Sequence, residues 1–173
     1  MSMPNPKRTA VRVQKVRLYP DVEMKQVLDE LCDYRRYCWN EALALWNDMY
    51  EQSLIPDDKK SRPSEYNVRN ELVAEKQDWQ YALSARVLQL SVSDLNKAFR
   101  NFFDKAQTDW GKPKFKSKKA PRQGFKTDRA RIVNGKLLLD RPHESRHKEW
   151  NAISFNGAKS LEGDLNVLSV YRE

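Results

Sequence analysis

RTAVRVQKVRLYPD, residues 8–21, decides how the rest of the chain is read. Residues 8–19 are β-prone and carry neither Gly nor Pro. In an extended chain Val11 and Val13 fall on one face and Val16 and Leu18 on the other, so the alternation changes phase midway. A bulge, or a strand buried on both faces, would explain the shift. Pro20 and Asp21 then stop the strand and open a helix. The chain therefore starts with a strand that leads directly into helical sequence.

That helix is expected to run to about Tyr50. Val27, Leu28, Leu31, Cys38, Trp39, Ala42, Trp46 and Met49 mostly follow steps of three and four residues. Its acids (Asp21, Glu23, Asp29, Glu30, Asp33, Glu41, Asp48) outnumber its bases, so its polar face should meet solvent or a basic neighbour. SLIPDDKKSRP, residues 53–63, reads as a loop. A shorter helix follows from Ser64 to about Glu75, with Tyr66, Leu72 and Val73 as its apolar members. After a turn near Gln77–Leu83, Ser84 can cap a third helix. That helix should bury Leu88, Val92, Leu95, Phe99 and Phe102 and end near Ala106. Trp39, Trp46, Phe99 and Phe102 read as core from their spacing; Phe103 and Tyr50 lie one step off those stripes.

Beyond the helices the period returns to two. Arg131–Leu139 reads as a β-hairpin, because Asn134-Gly135 supplies the positive φ angles of a two-residue turn. Ile153–Phe155 followed by Asn156-Gly157 repeats the signal, and Asp164–Tyr171 is a last strand. The fold class is α+β: a small β-barrel of the oligonucleotide-binding type, with a three-helix bundle inserted between its first and second strands. The divisions expected are 1–20 for the first strand, 21–110 for the helical domain, 111–131 for a basic linker and 132–173 for the rest of the barrel.

The linker, GKPKFKSKKAPRQGFKTDRAR, holds nine basic residues and one acid, Asp128. The whole chain, with 32 Lys and Arg against 24 Asp and Glu, has a formal net charge of +8, so the remainder roughly balances. Phe115, Gly124 and Phe125 sit among the lysines. A nucleic-acid strand can stack on such aromatics while its phosphates meet the cations. The pI of about 9.5 points the same way. A hydrophobic content of 39% with five Trp and six Phe argues against disorder. No apolar run approaches the roughly 18–20 residues of a membrane span. MSMPNPKR has no apolar signal core, so the expected location is the cytoplasm and no membrane partner is expected.

Catalytic signatures are missing. His143-Glu144-Ser145-Arg146-His147 matches H-E-x-x-H, but it follows Pro142, lies between strand signals and lacks an apolar helical flank. It reads as a charged surface loop. Cys32 and Cys38, six apart on a helix, point to different faces and read as buried or half-buried thiols rather than metal ligands. No Gly-rich phosphate loop occurs, and no carboxylate sits at an apolar strand end as two-metal nuclease chemistry needs. On residues alone the chain is a binder, with no catalytic residue, metal or cofactor.

Four stretches occur in a particular order: VQKVRLYP, a helix carrying RRYCWNEAL, then VLQLSVSDLNKAFRNFF, then GKPKFKSKK followed by QGFK. This set resembles the amino-terminal half of TnpB, the transposon-encoded OrfB-type proteins ancestral to type V CRISPR effectors. The resemblance covers about residues 11–171 and is loosest in the last third. It implies the recognition lobe of an RNA-guided DNA endonuclease, in which a wedge-like β-barrel carries an inserted helical bundle. Such a lobe holds a guide RNA derived from the transposon end and reads a short target-adjacent motif in double-stranded DNA. The family's RuvC-like carboxylates and CxxC zinc ribbon, with their Mg and Zn, belong after the point where this chain stops. No catalytic residue is carried over, and the chain reads as a natural truncation, an engineered piece or one lobe of a longer protein.

The resemblance places Ala85, Arg86 and Gln89 at the start of the third helix, where the family contacts target-adjacent DNA. Gln89 can pair with adenine and Arg86 with guanine or phosphate; the other reading of Gln89 is a surface glutamine. Tyr66, Arg69 and Lys126 complete the expected DNA patch. Lys112, Lys114, Lys116, Lys118, Lys119 and Arg122 are expected to meet RNA phosphates, with Arg12, Lys15 and Arg17 extending that surface. The alternatives are a stand-alone DNA-binding regulator descended from such a nuclease, or a decayed transposon fragment.

Overall fold

Asp21 starts the first helix as its sequence position suggests: its carboxylate accepts a hydrogen bond from the Met24 N–H at 2.8 Å. That amide, followed by Asn151, holds the Asp21 carboxyl below its ordinary pKa. The computed structural model describes residues 11–55, 62–156 and 165–173. Within them the chain is α+β, with helices α1 (Val22–Ser53), α2 (Glu65–Ala74) and α3 (Ala85–Phe103). The strands are β1 (Arg17–Tyr19), β2 (Gln123–Thr127), β3 (Ala130–Val133), β4 (Lys136–Leu139), β5 (Ser154–Asn156) and β6 (Leu168–Arg172). All three helices lie between β1 and β2, in the order the sequence implied.

α1 is one unbroken helix that buries a long stripe from Met24 to Trp46 against α3 and β2. Met24, Cys32, Tyr34 and Leu43 join the residues expected there. Both cysteines are buried and free. Ser64 caps α2 by accepting from the Asn67 N–H at 3.0 Å. α2 buries only Val68 completely; Tyr66 and Val73 are exposed and Leu72 is half-buried. A short 3-10 helix, Asp78–Ala82, leads into α3. Phe99 stacks on Trp46 with ring centroids 4.6 Å apart. Phe102, expected in the core, is 36% exposed, because α3 ends one residue later and leaves it on the open side of the final turn.

The strands form three antiparallel pairs, β1–β5, β2–β6 and β3–β4. A single bridge, Leu137 to Ile153, links the last pair to the first. Among the described residues these ladders do not close into a barrel. β1 is also shorter than the sequence suggested: its partner β5 offers three residues, so Val11 and Val13 have no ladder to join and stand exposed. Residues 8–10 of the expected strand, residues 56–61 of the expected loop, Gly157 of the second turn and Asp164 lie outside the described residues. β5 and β6 do not pair with each other there: β5 pairs with β1, and β6 with β2. The β3–β4 turn is as expected, with Asn134 at φ 52° and Gly135 at φ 72°.

The basic stretch is more than a linker. Its second half contains β2, whose Phe125 is 1% exposed and belongs to the core. Phe125 therefore cannot stack on a nucleic acid. Alternation explains this: Gln123, Phe125 and Thr127 are buried, and Gly124 and Lys126 between them are half-buried.

Candidate nucleic-acid interface

Residues 111–120 have no regular structure but are fixed by side chains of α1. The Trp39 indole donates to the Lys114 carbonyl at 2.9 Å. Asn40 makes two bonds to the backbone of Lys116, donating to its carbonyl at 3.0 Å and accepting from its N–H at 2.8 Å. Gln123 donates to the carbonyls of Ser117 and Ala120 at 3.1 and 3.0 Å, and accepts from Arg36. The chain here is a strap laid on the helix, satisfied through its backbone. Its side chains are left to solvent: Lys112, Lys114, Lys118, Lys119, Arg122 and Phe115 are all exposed.

Lys116 is different. It is half-buried, with its ammonium 4.3 Å from the Trp39 ring centroid. Burial, and then the nearby Arg35, pull its pKa below the ordinary lysine value. Asp94 of α3 lies between Arg35, 3.3 Å away, and Lys126, 3.0 Å away. Lys126, assigned to DNA from sequence, thus reaches Asp94 on α3, while Lys116, assigned to RNA, is covered at the Trp39 ring.

At the start of α3, Arg86 grips Asp128 with two hydrogen bonds, Nε to Oδ1 at 2.7 Å and a guanidinium nitrogen to Oδ2. The bond to Arg86 holds the Asp128 carboxyl below its usual range, and the same bond raises Arg86. The remaining guanidinium nitrogen donates to the Gln89 side-chain oxygen. A guanidinium can only donate, so the amide oxygen of Gln89 faces Arg86 and its NH2 group is left for another partner. A bidentate pair with adenine would have to share that oxygen. Tyr66 and Arg69 stand together on α2, the guanidinium 5.9 Å from the exposed ring. Arg12, Lys15 and Arg17 are exposed, and Arg17 lies 5.8 Å from the Tyr19 ring.

One further feature was not legible as an interface element. Arg122 lies over the Tyr171 ring at 3.9 Å, and that ring covers Gly124, its partner across the β2–β6 ladder. A Cβ on Gly124 would lie 2.4 Å from the ring and 2.6 Å from the Val170 carbonyl oxygen. Only a pairing of β2 with β6 makes that glycine necessary, and the sequence did not specify the pairing. The acids of α1 take basic neighbours: Asp29 and Asp33 bind Arg172, and Glu30 binds Arg146, with the His147 ring 3.1 Å from it. The H-E-x-x-H stretch is therefore a turn clamped to α1. Among the described residues no group of three or more His, Cys, Asp and Glu side chains could hold a metal ion. No helix there is long and apolar enough to cross a membrane.

Residues 12–54 match the helix-turn-helix domain family of the IS605 OrfB proteins. This portion of the chain is like the amino-terminal region of an IS605 OrfB-type transposase. It contains β1 and then α1 without a break, so no turn between two helices occurs inside the matched residues. No curated protein gives a significant match.

Proposed function

We propose that this chain, whose first strand and helix are like those of IS605 OrfB-type transposases, is the nucleic-acid-binding recognition lobe of a TnpB-like RNA-guided DNA endonuclease. The strap carries the reading. Its backbone is held by Trp39, Asn40 and Gln123, while five cations and Phe115 project to solvent. Fixing the backbone lowers the entropy lost when phosphates settle on those side chains. Lys112, Lys114, Lys118, Lys119 and Arg122 hold the guide RNA, and Arg12, Lys15 and Arg17 extend the surface. Lys116 acts from beneath, supporting the strap. Tyr66, Arg69, Arg86, Gln89 and Lys126 form the side that meets target-adjacent duplex DNA. In this reading the strands form the wedge and α1–α3 the recognition domain, and cleavage belongs to a separate nuclease half.

Purifying the chain from cells carrying its locus and sequencing the bound RNA tests the proposal. One discrete species derived from the transposon end is expected. The helix-turn-helix match favours a second reading, a DNA-binding regulator. Specific retardation of one duplex with no RNA carried along would establish that regulator instead.

A further inference from the structure

The H-E-x-x-H turn takes no part in the proposed interface, yet it is fastened closely to the first half of α1. From within, Arg141 donates to the carbonyls of Ser145 and His147 at 3.1 and 2.9 Å, and the Trp150 indole donates to the Ser145 hydroxyl at 3.2 Å. Toward α1, Asn151 donates to the Asp21 carboxylate at 2.6 Å, and Arg146 binds Glu30. His147 is the remaining contact, set between two carboxylates of the helix.

Its Nδ1 is 3.7 Å from a Glu23 oxygen and its Nε2 is 3.1 Å from a Glu30 oxygen. Glu23 and Glu30 are seven residues apart, two turns along one face of α1, so each meets a different ring nitrogen. The His147 side chain is 14% exposed, and Nε2 is shut off from water without a hydrogen bond of good geometry. A neutral imidazole carries one N–H, so one of its nitrogens would turn a lone pair toward a carboxylate oxygen. An imidazolium presents an N–H to both, and its charge is attracted to both. The surroundings therefore suit the protonated ring. Neighbouring charges offer no substitute: Arg146 shares Glu30 but not Glu23, and Asp21 is taken by Asn151 and the Met24 amide. His143, Glu144, Lys148 and Glu149 of the turn are exposed and form no side-chain hydrogen bond or ion pair with another described residue.

We infer that residues 141–151 are a pH-governed latch on α1, closed while His147 carries its second proton and loosened when that proton leaves. The closed turn offers the proton two carboxylates that the open turn does not. The latch therefore holds at the acid end of the range in which histidine changes charge, and it is lost as pH rises through that range, from about 6 to 8. The Leu137–Ile153 bridge ties the base of the turn, so loosening stays within it and leaves the ladders paired. The latch is independent of the proposed nucleic-acid binding.

Exchange of amide protons with water, measured by NMR on the full chain at pH 6 and pH 8 and divided by the intrinsic rate at each, tests the latch. The amides of residues 145 and 147 report the turn, because they bond within it to the Pro142 carbonyl and the Ser145 hydroxyl. In the wild type their protection should fall about fivefold from pH 6 to pH 8. H147Q can still donate a hydrogen bond but cannot gain a charge, so its protection should be equal at the two pH values. R146Q removes a cation that stays charged throughout; protection should drop at both values with the fivefold ratio kept. H143Q, which changes the exposed histidine, should behave as the wild type. Equal protection of the wild type at pH 6 and pH 8 overturns the latch. A fall that survives in H147Q, or disappears in H143Q, overturns it too, since the dependence then belongs to another group.

Discussion

Arg86 on α3 and Asp128 at the β2–β3 junction are joined by two parallel hydrogen bonds, so the arginine proposed to meet DNA is already engaged by the protein. The pair is less than a third exposed on either side. Such bidentate pairs fix a guanidinium plane as well as holding it. Arg86 therefore presents a set orientation to Gln89, and a phosphate would have to compete with Asp128 to capture it.

Asp128→Asn keeps the shape and removes the competing charge. Duplex DNA affinity should rise and discrimination between sequences should fall, because a freed Arg86 becomes a general phosphate ligand. Titration of two unrelated duplexes measures both. Unchanged affinity for both would take Arg86 out of the interface.

Acid should release the same clamp. Asp128 has a depressed pKa in the folded protein, so its contribution to stability is complete above the unfolded value of about 4 and is lost as pH falls through the lower folded value. The clamp is thus insensitive to pH between 5 and 8. DNA binding by the wild type and D128N should show the same pH dependence across that window.

The strap should depend on α1 side chains that touch no ligand. Asn40→Ala removes both bonds to the Lys116 backbone and should cost about 1–3 kcal/mol, with RNA affinity falling at an unchanged salt slope. Trp39→Phe keeps a ring but loses the bond to the Lys114 carbonyl, and should act in the same direction. Thermal melts and RNA titrations separate these effects from the loss of a phosphate ligand, which lowers the slope.

Gly124→Ala should destabilise by about 1–3 kcal/mol, since the added methyl meets a backbone carbonyl as well as the Tyr171 ring. Tyr171→Ala combined with Gly124→Ala should recover only part of the loss. Denaturant midpoints decide this; an additive double variant would show that Tyr171 is not the obstacle.

Cys32 and Cys38 should resist thiol reagents in the native state. Burial pushes Cys32 up to about 11 and Cys38 up to about 12, so neither is a thiolate near neutrality. With raised folded values, their contribution to stability is full below the unfolded value of about 8.5 and declines as pH rises toward the folded ones. Labelling with a disulfide reagent at pH 8 should be slow until denaturant is added.

The helices were legible because their signals are local: Asp21 and Ser64 cap, and three- and four-residue steps mark the buried stripe of α1, although Ser84, expected to cap α3, holds the N-cap position without a side-chain bond. The Asn134-Gly135 turn was legible for the same reason. Strand pairing was not, since nothing within residues 154–156 says that they will meet residues 17–19 rather than the following strand. The site divided likewise. Abundant lysines marked the strap, but Lys116 and Lys126 look like their neighbours until α1 and α3 bring Arg35 and Asp94 against them. Phe125 looked like a stacking aromatic because its register in β2 becomes visible only once β2 pairs with β6.

Because Arg17 pairs with Asn156, β1 must wait for nearly the whole chain before its partner exists. On a ribosome adding roughly 5–20 residues per second, that delay is on the order of ten seconds. The helices and β2 can associate in the meantime, leaving β1 as an unpaired edge open to the wrong strand. Charged side chains on such an edge discourage pairing between chains. Arg12, Lys15 and Arg17 therefore put charge on and just before a strand whose partner is made late.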